Sequence, residues 1–258
     1  MFNTTNLSQN LYNDLLQEST KETGKLLTTI PKSINAALSP LRKWIMIKEY
    51  NLSETEKLLE DKLKNIDPNK IVSPESYVAV PVINSISYTM DNSTLRNLYA
   101  NLLAKSMNVD TKDTVHPSFV EIIKQLSPND AMLLNFLKDH KEHPIVQLRY
   151  YDTNLFDSYV TVKNNIFEYN LNFSNDNFKS SLVSLDNLIR LGLIDITYNE
   201  KIYSLDKNPY DLLENSKIID DLKKSTNFPN HDFSIPKLMY GILSLTNFCT
   251  NFIDVCIK

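Results

Sequence analysis

Phe178 to Leu205, FKSSLVSLDNLIRLGLIDITYNEKIYSL, carries two hydrophobic periods joined at one glycine. Phe178, Leu182, Leu185, Leu188 and Ile189 recur at three- and four-residue spacing, which places them along one face of an α-helix. The pattern stops at Gly192, the residue type that most readily takes the left-handed conformation closing a helix. Beyond it, two short segments rich in β-branched and aromatic side chains flank Asn199 and Glu200. The stretch predicts a helix, a tight stop and a two-stranded hairpin over residues 193–205.

Working outward, IVQLRYYD (145–152) and SYVTVKNNIFEYNLNF (158–173) read as strands. At the C-terminal end, YGILSLTNFCTNFIDVCIK reads as a strand ending at Leu245, Thr246 as helix cap, and an apolar helix. The aromatic series Tyr150, Tyr151, Phe156, Tyr159, Phe167, Tyr169 and Phe173 reads as strand packing in preference to a base-stacking platform. Helix, turn, strand and strand in this order resemble the winged-helix fold, so residues 144–258 are expected to form a winged-helix-like α+β domain.

Upstream the period is helical. Asp91 is placed to cap a helix through Leu95, Leu98, Tyr99, Leu102 and Leu103. HPSFVEIIKQL follows, with Pro117 in a first-turn position and Phe119, Ile122, Ile123 and Leu126 facing inward. Ser127-Pro128-Asn129-Asp130 then opens a further helix ending near His140. Residues 52–66 form a charged helix, capped at Ser53 with Glu56 three residues later. Residues 1–24 read as a short helix or a loosely held arm. The expected architecture is α+β and mostly helical, a helical bundle over 1–143 followed by the winged-helix-like domain.

Composition narrows the function classes. Only three glycines occur among 258 residues, at Gly24, Gly192 and Gly241, so no glycine-rich phosphate loop or dinucleotide fingerprint can be built. The net charge of −4 disfavours a protein that coats nucleic acid nonspecifically. Cys249 and Cys256 stand seven apart, about two helical turns, too far for a disulfide within one helix. They read as buried thiols in a reducing compartment. The N-terminus lacks the profile of a secretory signal, and no apolar run has the length of a membrane span. The expected location is cytoplasmic.

Several stretches resemble the Abi-alpha abortive-infection family. The most specific is VHPSFVEIIKQLSPND (115–130). Ile71-Val72, Tyr77-Val78-Ala79, Pro81 and LRNLYANLLA (95–104) are also similar to it. LDNLIRLGLI (185–194) and the ending Leu245-Thr246, Phe252 and Cys256 complete a resemblance over about residues 40–258. Cys249 departs from the pattern, standing where the family often carries glycine. The resemblance implies a bacterial protein of phage resistance, in which an infected cell stops growing or dies before phage are released. It implies no particular reaction.

Candidate chemistry is sparse. His116 with Glu121, and Asp110 and Asp113 upstream, could supply a general base or a metal ligand. Positions i and i+5 do not share a helix face, however, and His116 reads better as a helix-start hydrogen bonder. His140 and His143 lack the further ligands a zinc site needs. No catalytic residue, metal site or cofactor is assigned, and an enzyme is the least favoured reading. A DNA contact would use Lys179, Asn187 and Arg190, with Ser184, on the helix before the hairpin, and Lys201 within it. Asp176 and Asp186 oppose phosphate there, so DNA is the secondary reading. Between Lys25 and Lys48 the chain has no acidic residue, but carries Lys25, Lys32, Arg42, Lys43, Lys48 and the only tryptophan, Trp44. That stretch is a candidate surface for a partner or an anionic membrane, interrupted by Pro31 and Pro40. The leading expectation is a non-enzymatic sensor or effector engaging a phage or host protein, a membrane surface, or a second copy of the chain.

Overall fold

The computed structural model describes residues 52–86, 92–154, 158–198, 209–228 and 232–258. The protein is α+β, and these residues fall into two compact units. The first holds 52–86 and 99–120; the second holds 92–98 and the described part of 121–258. Residue 143, the expected domain boundary, lies inside the second unit.

In the first unit, α1 (Leu52–Leu63) buries Leu59 and Leu63. The cap assigned to Ser53 and Glu56 rests on side chains outside the described residues. Asp67 accepts the Asn69 N–H at 2.9 Å and opens a short 3₁₀ turn, Pro68–Lys70. The following strand-like residues bridge to the end of α3 (Ser93–Ser106), where Val72 N–H donates to the Met107 carbonyl at 2.8 Å. Between them lies α2 (Ser76–Ile86), a helix with Pro81 in its interior and no counterpart in the sequence reading. The proline removes one helical N–H, yet Val78, Ala79, Val82 and Ile83 are all buried. Burial of a large aliphatic side chain contributes about 1.5–3 kcal/mol, so this face offsets the proline's cost of about 3 kcal/mol.

The helix starts obey local chemistry. Asp91, the expected cap of α3, lies outside the described residues, and Asn92 Oδ1 accepts the Leu95 N–H at 3.0 Å. Ahead of α4 (Ser118–Gln125), His116 Nδ1 sits 2.6 Å from Ser118 Oγ and accepts the Ser118 N–H at 3.2 Å. Ser127 and Asp130 form a complete capping box at the start of α5 (Pro128–Leu137). The Ser127 N–H donates to Asp130 Oδ2 at 2.7 Å, and the Asp130 N–H to Ser127 Oγ at 3.2 Å.

The second unit is organised by an antiparallel sheet with strand order β2-β1-β4-β3. Its strands are β1 (Glu142–Asp152), β2 (Tyr159–Phe167), β3 (Ile194–Tyr198) and β4 (Phe233–Leu245). β3 pairs along its length with β4, Ile194 opposite Leu245 and Tyr198 opposite Gly241. The second hairpin strand expected after Glu200 lies outside the described residues. Helix α6 (Asn175–Arg190) precedes β3 and ends as anticipated at Gly192. Gly192 has φ +67°, and its N–H and that of Leu193 donate back to Ile189 and Leu188, each at 2.9 Å. That is the two-bond Schellman closure.

On one face of the sheet, Val146, Leu148, Tyr150 and Ile166 meet Phe178 of α6. The same core holds Tyr210 and Leu213, at and inside α7 (Asp211–Glu214), and Ile219 of α8 (Lys217–Ser225). The Tyr210 hydroxyl donates to the Gly241 carbonyl at 2.9 Å, fixing this pair of short helices to β4. After β4, Thr246 Oγ1 accepts the Cys249 N–H at 3.0 Å, capping α9 (Asn247–Cys256), and donates to the Gly192 carbonyl at 2.8 Å. Cys249 therefore occupies a capped first turn, and both cysteines are buried free thiols.

Candidate functional site

The opposite face of the sheet changes character along its length. Side chains alternate across a strand, so Ile145, Gln147, Arg149 and Tyr151 share this face of β1. Opposite them on β4 stand Gly241, Met239, Lys237 and Ile235; Thr161 and Tyr159 of β2 lie opposite Arg149 and Tyr151. At the Ile145 end the face is buried, with Phe167 and Leu243 also inaccessible. Toward Tyr151 it opens, and Tyr159 is 45% and Ile235 37% exposed.

The open end is an aromatic and cationic surface. Tyr151 and Tyr159 face each other across β1 and β2 with ring centroids 5.4 Å apart. The Arg149 guanidinium lies 4.1 Å from the Tyr159 centroid, and Lys237 Nζ lies 5.1 Å from the Tyr151 centroid. Arg149 Nε also donates to Gln147 Oε1 at 2.9 Å, which holds the guanidinium over the ring. Tyr and Arg in such an ordered arrangement lose little conformational freedom on binding, which is why these residue types are enriched at contact surfaces. From the sequence alone, Tyr151 and Tyr159 are expected to pack along with the whole aromatic series. Tyr150 and Phe167 are indeed buried, but the period-two alternation that buries Tyr150 turns Tyr151 outward.

Among the described residues singled out for DNA, Asn187 and Arg190 are engaged within the fold. Asn187 Nδ2 donates to Asp130 Oδ2 at 2.8 Å and to the Gln125 carbonyl at 2.9 Å. Arg190 donates to Gln125 Oε1 at 2.9 Å and, from Nη2, to Asn187 Oδ1 at 2.7 Å. Both side chains thus tie α6 to the α4–α5 turn. Ser184 is 3% exposed. Lys179 stays exposed near Lys163, whose ammonium sits 3.8 Å from the Phe178 centroid. Burial, and secondly Lys179, holds Lys163 below the usual lysine range. Lys201 and the cluster Lys25, Lys32, Arg42, Lys43, Trp44 and Lys48 lie outside the described residues.

The histidines have local structural duties. Beyond its bonds to Ser118, the His116 ring packs against Phe119 at 5.9 Å. His143 is buried, and its Nε2 donates to the carbonyls of Leu137 and His140 at 3.2 and 3.1 Å, satisfying the end of α5. Among the described residues no group of three or more His, Cys, Asp or Glu is placed to hold a metal ion. No helix among them is long and apolar enough to cross a membrane.

These features define an α+β protein whose curled antiparallel sheet is covered on one face and open at one end of the other. The chain belongs to the abortive infection alpha family, whose model matches residues 47–256, most of its length. Membership suggests a role in abortive infection. No curated protein and no solved structure matches the chain.

Proposed function

We propose that this protein gives bacterial cells resistance to phage by abortive infection, and that it acts as an interaction protein through the open end of its sheet. The observation that carries this reading is the ordered Tyr151–Tyr159 pair with Arg149 and Lys237 over the rings. Its chemistry fits a phage or host protein that presents an apolar surface bearing carboxylates, because the two cations complement such a surface while the rings supply contact area. Two buried free thiols support a reducing, cytoplasmic setting. The test is expression in a phage-sensitive host, scoring plaques and the survival of infected cells. Tyr159→Ala and the double variant Arg149→Glu, Lys237→Glu should keep the wild-type melting temperature and lose resistance. Full resistance in both variants would overturn the proposal.

A DNA-contacting reading has one observation in its favour. Within 144–258, α6 is followed by β3 and β4 in antiparallel pairing, an order compatible with a winged helix, and Lys179 stands beside Lys163. On this reading the helices before residue 143 form a supporting bundle, and Lys201 would extend the contact. Duplex titration at two salt concentrations discriminates the readings: steep salt dependence reduced by Lys179→Glu favours DNA. A membrane contact through Lys25, Lys32, Arg42, Lys43, Trp44 and Lys48 is a third proposal. Flotation with anionic and neutral vesicles tests it, the Lys32→Glu, Lys43→Glu variant being expected to lose the anionic-selective association.

A further inference from the structure

A groove of about 240 Å³ lies between α5, α6 and the 3₁₀ turn Glu168–Asn170, away from the open end of the sheet. Its lining mixes small polar side chains with aromatic ones. From α6 come Asn177, Ser180, Ser181 and Ser184, the Ser181 hydroxyl being spent on the Phe178 carbonyl at 2.7 Å. From α5 come Asn129 and Met132, and from the segment after β2 come Tyr169 and Phe173.

Ser184 makes this groove more than a polar stripe. The residue is 3% exposed and its side chain lines the groove, and its hydroxyl makes no hydrogen bond among the described residues. That hydroxyl is not sealed in the core, so it can bond a group that enters the groove. Asn177 is exposed, and its side-chain amide makes no hydrogen bond among the described residues. Asn129 Nδ2 is spent on Ser180 Oγ at 2.9 Å, which leaves its Oδ1 to accept.

We infer that this groove binds an uncharged nucleobase or nucleoside. Three properties of the lining select that class. Among the described residues no Lys, Arg, His, Asp or Glu contributes to it, so a charged group would enter without a counter-ion from the lining at a heavy desolvation cost. The free Asn177 amide offers a donor and an acceptor side by side, the pattern by which an asparagine reads the paired donor and acceptor on a base edge. Tyr169 and Phe173, in edge contact at 5.0 Å, and the half-exposed thioether of Met132 supply flat apolar surface for a planar heterocycle. The volume suits one base with or without its sugar and leaves no room for a long chain.

The site does not depend on the reading of the sheet face. Calorimetric titration of the full chain with adenosine, guanosine, cytidine and uridine tests it, with the matching monophosphates and methyl glucoside alongside. At least one nucleoside should bind saturably, and its monophosphate should bind no more tightly. Asn177→Ala, on an exposed position, should weaken binding about tenfold and Ser184→Ala by a few-fold, in line with one hydrogen bond each. Both variants should retain the wild-type melting temperature. No saturation by any nucleoside, tighter binding of monophosphates or of the glucoside, or affinity unmoved by Asn177→Ala would each overturn the inference.

Discussion

Tyr198, on the edge strand β3, donates its hydroxyl to Oδ1 of Asn165, on the opposite edge strand β2, at 2.7 Å. Two strands separate them in the sheet order. With neighbouring strands about 4.8 Å apart, a flat sheet would hold these edges roughly 14 Å from each other. The contact therefore needs a long side chain lying across the sheet and a curl that draws the edges together. Gly241 makes room for it, since a Cβ there would stand 2.6 Å from Tyr198 Cδ1 and 2.7 Å from the Thr197 carbonyl oxygen. Asn165 adopts φ 53°, a left-handed conformation that asparagine tolerates better than most residues.

Tyr198→Phe should lower stability by about 1–2 kcal/mol in urea denaturation, because the hydroxyl bond is lost and Asn165 Oδ1 is left without that donor. Burial pushes the Tyr198 phenol up to about 12, against the smaller opposing pulls of Asn165, Gln147 and Arg149. The native state therefore holds this proton where the unfolded chain, with an ordinary tyrosine value of about 10, releases it. The associated stability is complete below about pH 10 and is lost as pH rises toward 12. Burial also raises Tyr169 and Tyr210, so tyrosinate absorbance of the native protein should show one late-titrating tyrosine fewer in the variant; identical curves would contradict the assignment.

Gly241→Ala should cost about 1–3 kcal/mol by forcing Tyr198 or the β3 backbone to move. Gly192→Ala should cost about 1–2 kcal/mol for a different reason, the left-handed backbone, since nothing lies within 4 Å of its Cβ position. Gly192→Asn should recover part of that loss and Gly241→Asn none. Equal recovery at both positions would show that backbone conformation, and not space, governs Gly241.

Asn187→Ala should destabilise the protein by about 1–3 kcal/mol, because it removes a donor from the buried Asp130 carboxylate and frees the Gln125 carbonyl. Asp130→Ala removes the same bond together with the α5 capping box. The double variant should fall short of the sum of the two, as expected for directly coupled partners. Full additivity in chemical denaturation would mean that the two residues act independently.

Cys249 and Cys256 should resist a thiol reagent at mildly alkaline pH until denaturant is added, after which both should react. Burial pushes the Cys249 thiol up to about 12 and raises that of Cys256 well above its ordinary value, so the reactive thiolate is suppressed. By linkage, this contribution is complete below the ordinary thiol range of about 8.5 and declines as pH rises beyond it. Rapid labelling of either cysteine in the native protein would contradict this picture.

Local chemistry was legible in the residues alone. The Ser127–Asp130 capping box, the stop at Gly192, Thr246 as the cap of the last helix and the apolar faces of α3 and α6 each depend on neighbours within a few positions. The period-two stretches likewise announced β1 and β2. What tertiary structure decided were relationships over long separations. β3 pairs with residues 43 to 51 positions further on, and α2 persists despite Pro81 because its other face is buried. Asn187 and Arg190, which look like DNA readers on an isolated helix, are committed to Gln125 and Asp130 some sixty residues earlier. Ser184 is turned into a groove and not toward solvent, while Tyr151 and Tyr159 reach an open surface. A helix or strand period shows which residues share a face. What covers that face depends on long-range packing, which local periodicity does not encode.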